Sequence, residues 1–260
     1  MFTPDYRPDP HLLSQRVVLV TGASAGLGRK AALSFAHHGA TLILHGRDTA
    51  RLEAVYDEIE RLGAPEPIIL PLDLAKAGEQ DFLNVEQAIR AQTGRLDGIL
   101  HCATHFTHLT ELAHEPLDHW VATLRVNVAA VQALTRSCLP LLAAAQDASV
   151  IATTEMHGLK PAAFWGAFAV SQGAVYTWMR IQAQEWSSRP NLRVNLLVPG
   201  PVDSPLRART HPGEARSARM APEKLAPLWL YLMGPDSRGV SGEVFDAQTL
   251  LDPTERTTKP

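Results

Sequence analysis

The 260-residue chain has 45% hydrophobic and 20% charged residues and a formal net charge of −3, values of an ordinary globular domain rather than of a disordered or fibrous chain. A charge so near neutrality gives no electrostatic reason to expect nucleic acid or an anionic membrane as partner, and Cys102 and Cys138, the two cysteines, make no disulfide framework. Residues 1–10 carry Asp5, Arg7 and Asp9 without the apolar stretch of a signal peptide, and no run approaches the roughly 20 apolar residues of a membrane helix, so the expected location is the cytoplasm.

In chain order, short β-rich runs alternate with helical patterns. The strands are read at Val17 to Val20, Thr41 to His45, Ile68 to Leu72, Gly98 to His101, Ser149 to Thr153 and Val194 to Val198, with a weaker seventh at Glu243 to Phe245. The first is apolar throughout, as a strand covered on both faces should be. Helices are expected at Arg29 to His38, Thr49 to Leu62, Phe82 to Gln92, His119 to Leu142, Phe164 to Ser187 and Pro222 to Met233. Strict β–α alternation predicts a Rossmann-type, doubly wound parallel sheet of about seven strands with helices on both faces. A chain of this length fits one such domain, here residues 16–250, after an N-terminal arm (1–15) and before a polar, frayed tail (251–260). Ligands of such sheets sit beyond the carboxyl ends of the strands. Pro199 to Met220, rich in Pro, Arg and Ser, reads as a mobile segment over that edge.

The first strand runs into Thr21-Gly22-Ala23-Ser24-Ala25-Gly26-Leu27-Gly28, and a helix follows at once. Gly22 permits the tight turn, Gly26 lets backbone approach a pyrophosphate, and Gly28 lets helix pack on strand. The helix N-terminus then offers free N–H groups to phosphates. A glycine-rich turn is a weak signal alone, but this one has the required strand–turn–helix context.

On this Thr-Gly-x-x-x-Gly-x-Gly spacing the chain resembles the short-chain dehydrogenase/reductase family, from about Val17 to Asp246. The resemblance implies a dinucleotide held by Gly22, Ser24, Gly26, Leu27 and Gly28, by Asp73 and Leu74 after the third strand, by Ala103 after the fourth, and by Pro199, Gly200 and Ser204 after the sixth. At the end of the second strand a carboxylate would accept the ribose hydroxyls of NAD. Here Gly46 and Arg47 stand there, and a guanidinium suits the 2′-phosphate of NADP, making NAD the less expected cofactor. Asp48 is read as the cap of the next helix. Thr104 stands where the family has Gly and adds bulk near the nicotinamide ribose.

The chemical end departs from the family pattern, which implies a proton-passing Tyr, a Lys four residues later and a Ser about thirteen residues before the Tyr. In Trp165-Gly166-Ala167-Phe168-Ala169-Val170-Ser171-Gln172, Phe168 occupies the Tyr position and Gln172 the Lys position. Counting back reaches Glu155, with Thr154 able to take the Ser role if the loop slips by one. Asn127, in Arg125-Val126-Asn127-Val128, matches the family's catalytic Asn. A phenyl ring has no proton to give, and a neutral Gln supplies no field to lower a neighbouring pKa. Loss of a placed general acid costs about 10²–10⁴ in rate. Ordinary alcohol–ketone redox is therefore disfavoured, unless another tyrosine such as Tyr176 reaches the site.

Three functions follow. The chain is a catalytically silent, NADP-binding partner or regulatory protein; or an acid–base enzyme (lyase, isomerase or dehydratase) in which Glu155 and His157 move protons, with His101 able to join them; or a non-standard NADPH-dependent carbonyl reductase. The first is preferred. Five of eleven histidines fall between His101 and His119, but their spacing matches no compact zinc pattern, so no metal is expected. The expected ligand is a small molecule of apolar character. Its pocket would be lined from Ala162 to Phe164 and from Leu206 to Arg216, with Phe164, Met156 and Leu159 suggesting an apolar wall. Val175, Trp178 and Ile181 would pair copies of the chain as a homo-oligomer through the helices expected at 119–142 and 164–187.

Overall fold

Apolar β-branched and leucine-rich runs build the strands Val17–Thr21 (β1), Thr41–Gly46 (β2), Ile68–Pro71 (β3), Gly98–His101 (β4), Ala148–Thr153 (β5), Leu192–Val198 (β6) and Val244–Asp246 (β7). Between them lie helices Gly26–His37 (α1), Thr49–Arg61 (α2), Glu79–Thr93 (α3), Leu117–Leu124 (α4), Ala130–Ala144 (α5), Gly166–Glu185 (α6), Pro205–Thr210 (α7), Ala226–Met233 (α8) and Ala247–Leu251 (α9). This is a computed structural model, and it describes residues 2–251; the rest of the expected tail lies outside the described residues. All seven strands are parallel, in the order β3-β2-β1-β4-β5-β6-β7. The winding reverses between β1 and β4, so the expected ligand crevice opens there.

Alternate residues of each strand feed two cores. Val18 and Val20 pack with Phe35, Leu52 and Trp229 of α1, α2 and α8, while Val17 and Leu19 pack with Phe82, Leu134 and Met179 of α3, α5 and α6. Burial of both faces is why β1 carries no polar alternation.

Several boundaries differ from the sequence reading. The helix expected at 119–142 is continuous from Leu117 to Ala144, with a π-helical turn at Arg125–Ala129. By length and composition alone it could cross a membrane, contrary to the expectation that no segment would. Its buried Leu134, Cys138, Leu141 and Leu142 make it a core helix. The N-terminal arm is docked on the core: Leu13 is fully buried, and Phe2 packs on Tyr6 and Tyr231. The stretch 199–220 is a built strap. Ser204 caps α7 by accepting from Arg207 N, and Arg219 pairs with Glu214 and Asp203. Val175, expected on a pairing surface, lies in the core, whereas Ile181 is exposed and Trp178 gives its indole N–H to Gln132.

At the amino edge of the sheet, opposite the crevice, Asp147 is enclosed by two buried arginines. Arg16 reaches its Oδ2 at 2.7 Å, and Arg193 pairs with its Oδ1 while donating to Gly234 O at 2.7 Å.

Candidate functional site

The glycine turn is shaped by close approach. Gly22 has φ 68°, a left-handed conformation, and a β-carbon at Gly28 would stand 2.4 Å from the Gly22 carbonyl oxygen. The Thr21 hydroxyl oxygen accepts the N–H groups of Cys102 and Ala103, each at 3.0 Å, and so joins the ends of β1 and β4. Above this junction lies a cavity of about 500 Å³.

Every residue that the sequence assigned to the cofactor lines this cavity: Gly22, Ser24, Gly26, Leu27, Gly28, Arg47, Asp73, Leu74, Ala103, Pro199, Gly200 and Ser204. They converge because five strands end on one edge and their following turns face the same crevice. Arg47 is exposed and forms no ion pair among the described residues. Asp48 caps α2, its Oδ1 accepting from Arg51 N at 3.2 Å and its Oδ2 lying 3.1 Å from Arg51 Nε. Its carboxylate is therefore spoken for by the protein. Thr104 stands in the cavity wall, its hydroxyl donating to Asn127 Oδ1 at 3.4 Å.

The catalytic candidates separate. Glu155, Thr154, Phe168 and Gln172 line the cavity, whereas His157 and Asn127 do not. Asn127 Nδ2 donates to His105 O (3.0 Å) and to Ser171 Oγ (2.9 Å), and its Oδ1 accepts His105 N (2.7 Å). Its amide thus ties the 101–116 loop to α6 at the cavity wall. His157 sits behind Glu155, with Nδ1 at 2.7 Å from Glu155 Oε2 and its ring stacked on Trp165 at 3.8 Å. Glu155 Oε2 also accepts the His157 backbone N–H at 2.6 Å. The Thr154 hydroxyl donates to Gln172 O at 3.3 Å, so its proton is committed to the helix. His101 cannot join Glu155: it is buried against Thr135 Oγ1 at 2.8 Å, and burial pulls its imidazole down to about 3.

None of the four tyrosines lines the cavity, and no described lysine does. Tyr176 packs against the core instead. The end of the cavity near Phe168 is aromatic. Phe106 meets Phe168 edge-on at 5.2 Å, Trp165 lies 6.0 Å from Phe168, and Leu206 of α7 packs on this cluster. The apolar wall is therefore Phe106, Phe168 and the expected Leu206, whereas Met156, Leu159 and Phe164 do not line the cavity. The chain turns at Phe164 with φ 73° and leaves that side chain 54% exposed. Phe106 was missed because it lies in the histidine-rich stretch, where no periodicity marks a wall. Burial pushes the Cys102 thiol up to about 11, which keeps it protonated beside Thr153. Among the described residues no group of three His, Cys, Asp or Glu side chains could hold a metal ion.

The sheet order, the glycine turn and the cavity at the switch point define a doubly wound α/β protein with a crevice at the carboxyl ends of its strands. A family model described as short chain dehydrogenase matches residues 16–215. The uncharacterized oxidoreductase YciK of Escherichia coli (strain K12) is 37% identical over 94% of this chain and 96% of its own length. The chain belongs to the short chain dehydrogenase family. Two solved structures of short chain dehydrogenases superpose closely. One, from Shigella flexneri 2a str. 301 and complexed with NADP, has TM-score 0.89 and 36% identity, covering 92% of this chain and 100% of its own. The other, from Escherichia coli CFT073 and complexed with NADPH, has TM-score 0.89 and 38% identity, covering 93% and 100%.

Proposed function

We propose that this chain binds NADP(H) in the crevice and does not carry out the family's tyrosine-relayed redox reaction, acting instead as a catalytically silent partner or regulatory protein. The glycine cradle supports the nucleotide: with no β-carbon at Gly22 or Gly28, backbone N–H groups at the start of α1 can reach a pyrophosphate. Arg47, with no carboxylate partner among the described residues, is placed to take a 2′-phosphate, and the relatives complexed with NADP and NADPH agree with that choice. The bound nucleotide would supply hydride chemistry. A hydride acceptor also needs a proton donor, and that is the part missing.

One observation carries the silent reading. The wall that would have to relay a proton presents the Phe168 ring and the Gln172 amide, and no phenol enters the cavity. Titration of the protein with NADPH and NADH, followed by fluorescence and thermal shift, tests the first half. NADPH should bind more tightly, and Arg47→Ala should remove that preference with a loss of about tenfold or more in NADPH affinity. Absence of binding by either nucleotide defeats the proposal. The second half is tested with a panel of aldehydes and ketones, on which NADPH should not be consumed. Stoichiometric consumption with carbonyl reduction establishes the non-standard reductase instead.

A second reading is favoured by the Glu155–His157 contact. A cavity carboxylate backed by an imidazole at 2.7 Å can hold or pass a proton, as a lyase, isomerase or dehydratase requires. Turnover without net NADPH consumption that Glu155→Gln abolishes assigns the chain to that class.

A further inference from the structure

The nucleotide accounts for the glycine turn, Arg47 and Asp73, but not for the aromatic end of the cavity. There Phe106 and Phe168 meet edge-to-face at 5.2 Å with Leu206 packed on them, a surface of C–H groups with no polar partner to offer. Walls of this kind take apolar bodies, and the few polar groups around them set orientation. The polar group at hand is Arg209, also in the cavity lining. Its guanidinium lies over the Phe106 ring at 5.2 Å, and its Nη2 donates to Phe106 O at 2.9 Å and Thr107 O at 2.8 Å. A guanidinium has five N–H donors. Among the described residues, with Nη2 committed, the Nε and Nη1 donors of Arg209 have no partner and no carboxylate pairs with its charge.

Of the other charged side chains at this end, Arg207 is held by Glu214, and Glu155 Oε2 meets His157 Nδ1 at 2.7 Å. The carboxylate of Glu155 repels an anion, so a negative group on a ligand belongs at Arg209. Burial, and then the charges of Arg47, His119 and Arg209, lower the pKa of His105, and Asp73 opposes them.

We propose that the aromatic end of the cavity binds a small apolar carboxylate, its body against Phe106, Phe168 and Leu206 and its carboxylate on the free edge of Arg209. This rests on reading the crevice as a nucleotide site with a second ligand beside it. The competing role for Arg209 is a latch that ties α7 to the 101–116 loop through its two backbone bonds, with no ligand involved.

Calorimetric titration with trans-cinnamate and with cinnamyl alcohol, a neutral molecule of the same shape, decides between them, with and without saturating NADPH. Cinnamate should bind about fivefold or more tightly than the alcohol. Arg209→Ala should erase that difference by weakening cinnamate alone. Equal binding of acid and alcohol to the unaltered protein overturns the proposal, as does an Arg209→Ala loss shared equally by both, which is the signature of a latch. Should the variant fail to fold, the acid–alcohol comparison on the unaltered protein stands by itself. NADPH binding without cinnamate binding sinks this inference and leaves the nucleotide reading intact; binding of neither removes both.

Discussion

A β-carbon at Gly28 would lie 2.4 Å from Gly22 O, well inside contact distance, and the oxygen belongs to backbone that cannot step aside. Gly28→Ala should therefore push α1 off the turn. The expected cost is about 1–3 kcal/mol of stability, seen as a lower urea midpoint, together with loss of NADPH binding in the same preparation. Unchanged stability would mean that the turn is not built as described. The places of the glycines, Arg47 and Asp73 on the cavity wall were legible in the sequence because they follow from local spacing after a strand. Asn127 was not. Its position on a helix could be read, but the partners of its amide, His105 and Ser171, are fixed only by how three elements pack. Phe164 failed for a related reason: an apolar residue beside a pocket looks like wall until the backbone turns it outward.

Helix α6 carries Phe168 and Gln172, and its own sequence gives it no cap. Trp165 at the N-cap makes no side-chain bond; Glu115 instead supplies the acceptor, its Oε2 taking the Ala167 N–H at 3.0 Å. A carboxylate at a helix N-terminus satisfies an orphan donor and opposes the positive end of the dipole. Glu115→Ala should lower stability by about 0.5–2 kcal/mol, and Glu115→Gln, which keeps an acceptor, by less. Chemical denaturation of both variants checks the order, and equal losses would show that charge rather than hydrogen bonding dominates. The helix itself was legible from its pattern to within two residues at each end. Its cap was invisible because donor and acceptor lie 52 residues apart. The π-helical turn at Arg125–Ala129 was equally hidden, since its residues fit an unbroken helix.

At the scale of the whole molecule, the two edges of the sheet do different work. The carboxyl edge leaves its strand ends open to a ligand, while the amino edge is closed by charge. The alternation of strands and helices made the sheet legible, but not this closure, whose partners Arg16 and Arg193 stand 131 and 46 residues from Asp147. Burial pushes the Asp147 carboxyl up, but hydrogen bonds and charge from Arg193 and then Arg16 more than offset this and hold it below its ordinary value of 3.8. Burial also draws Arg193 down, yet a guanidinium stays charged at any pH the fold survives, so the carboxylate sets the acid response. A folded pKa below the unfolded one gives stability that is complete above about pH 4 and is lost as the pH falls through the folded value. Asp147→Asn leaves two buried cations uncompensated and should cost about 3 kcal/mol or more at neutral pH. The gap between the two proteins, read from urea midpoints, should stay constant from about pH 7 to 5 and narrow below about pH 4. A gap already closing between pH 7 and 5 would contradict the depressed carboxyl, because the ion pair would then be surrendering its proton-free form far above the range its two arginines impose.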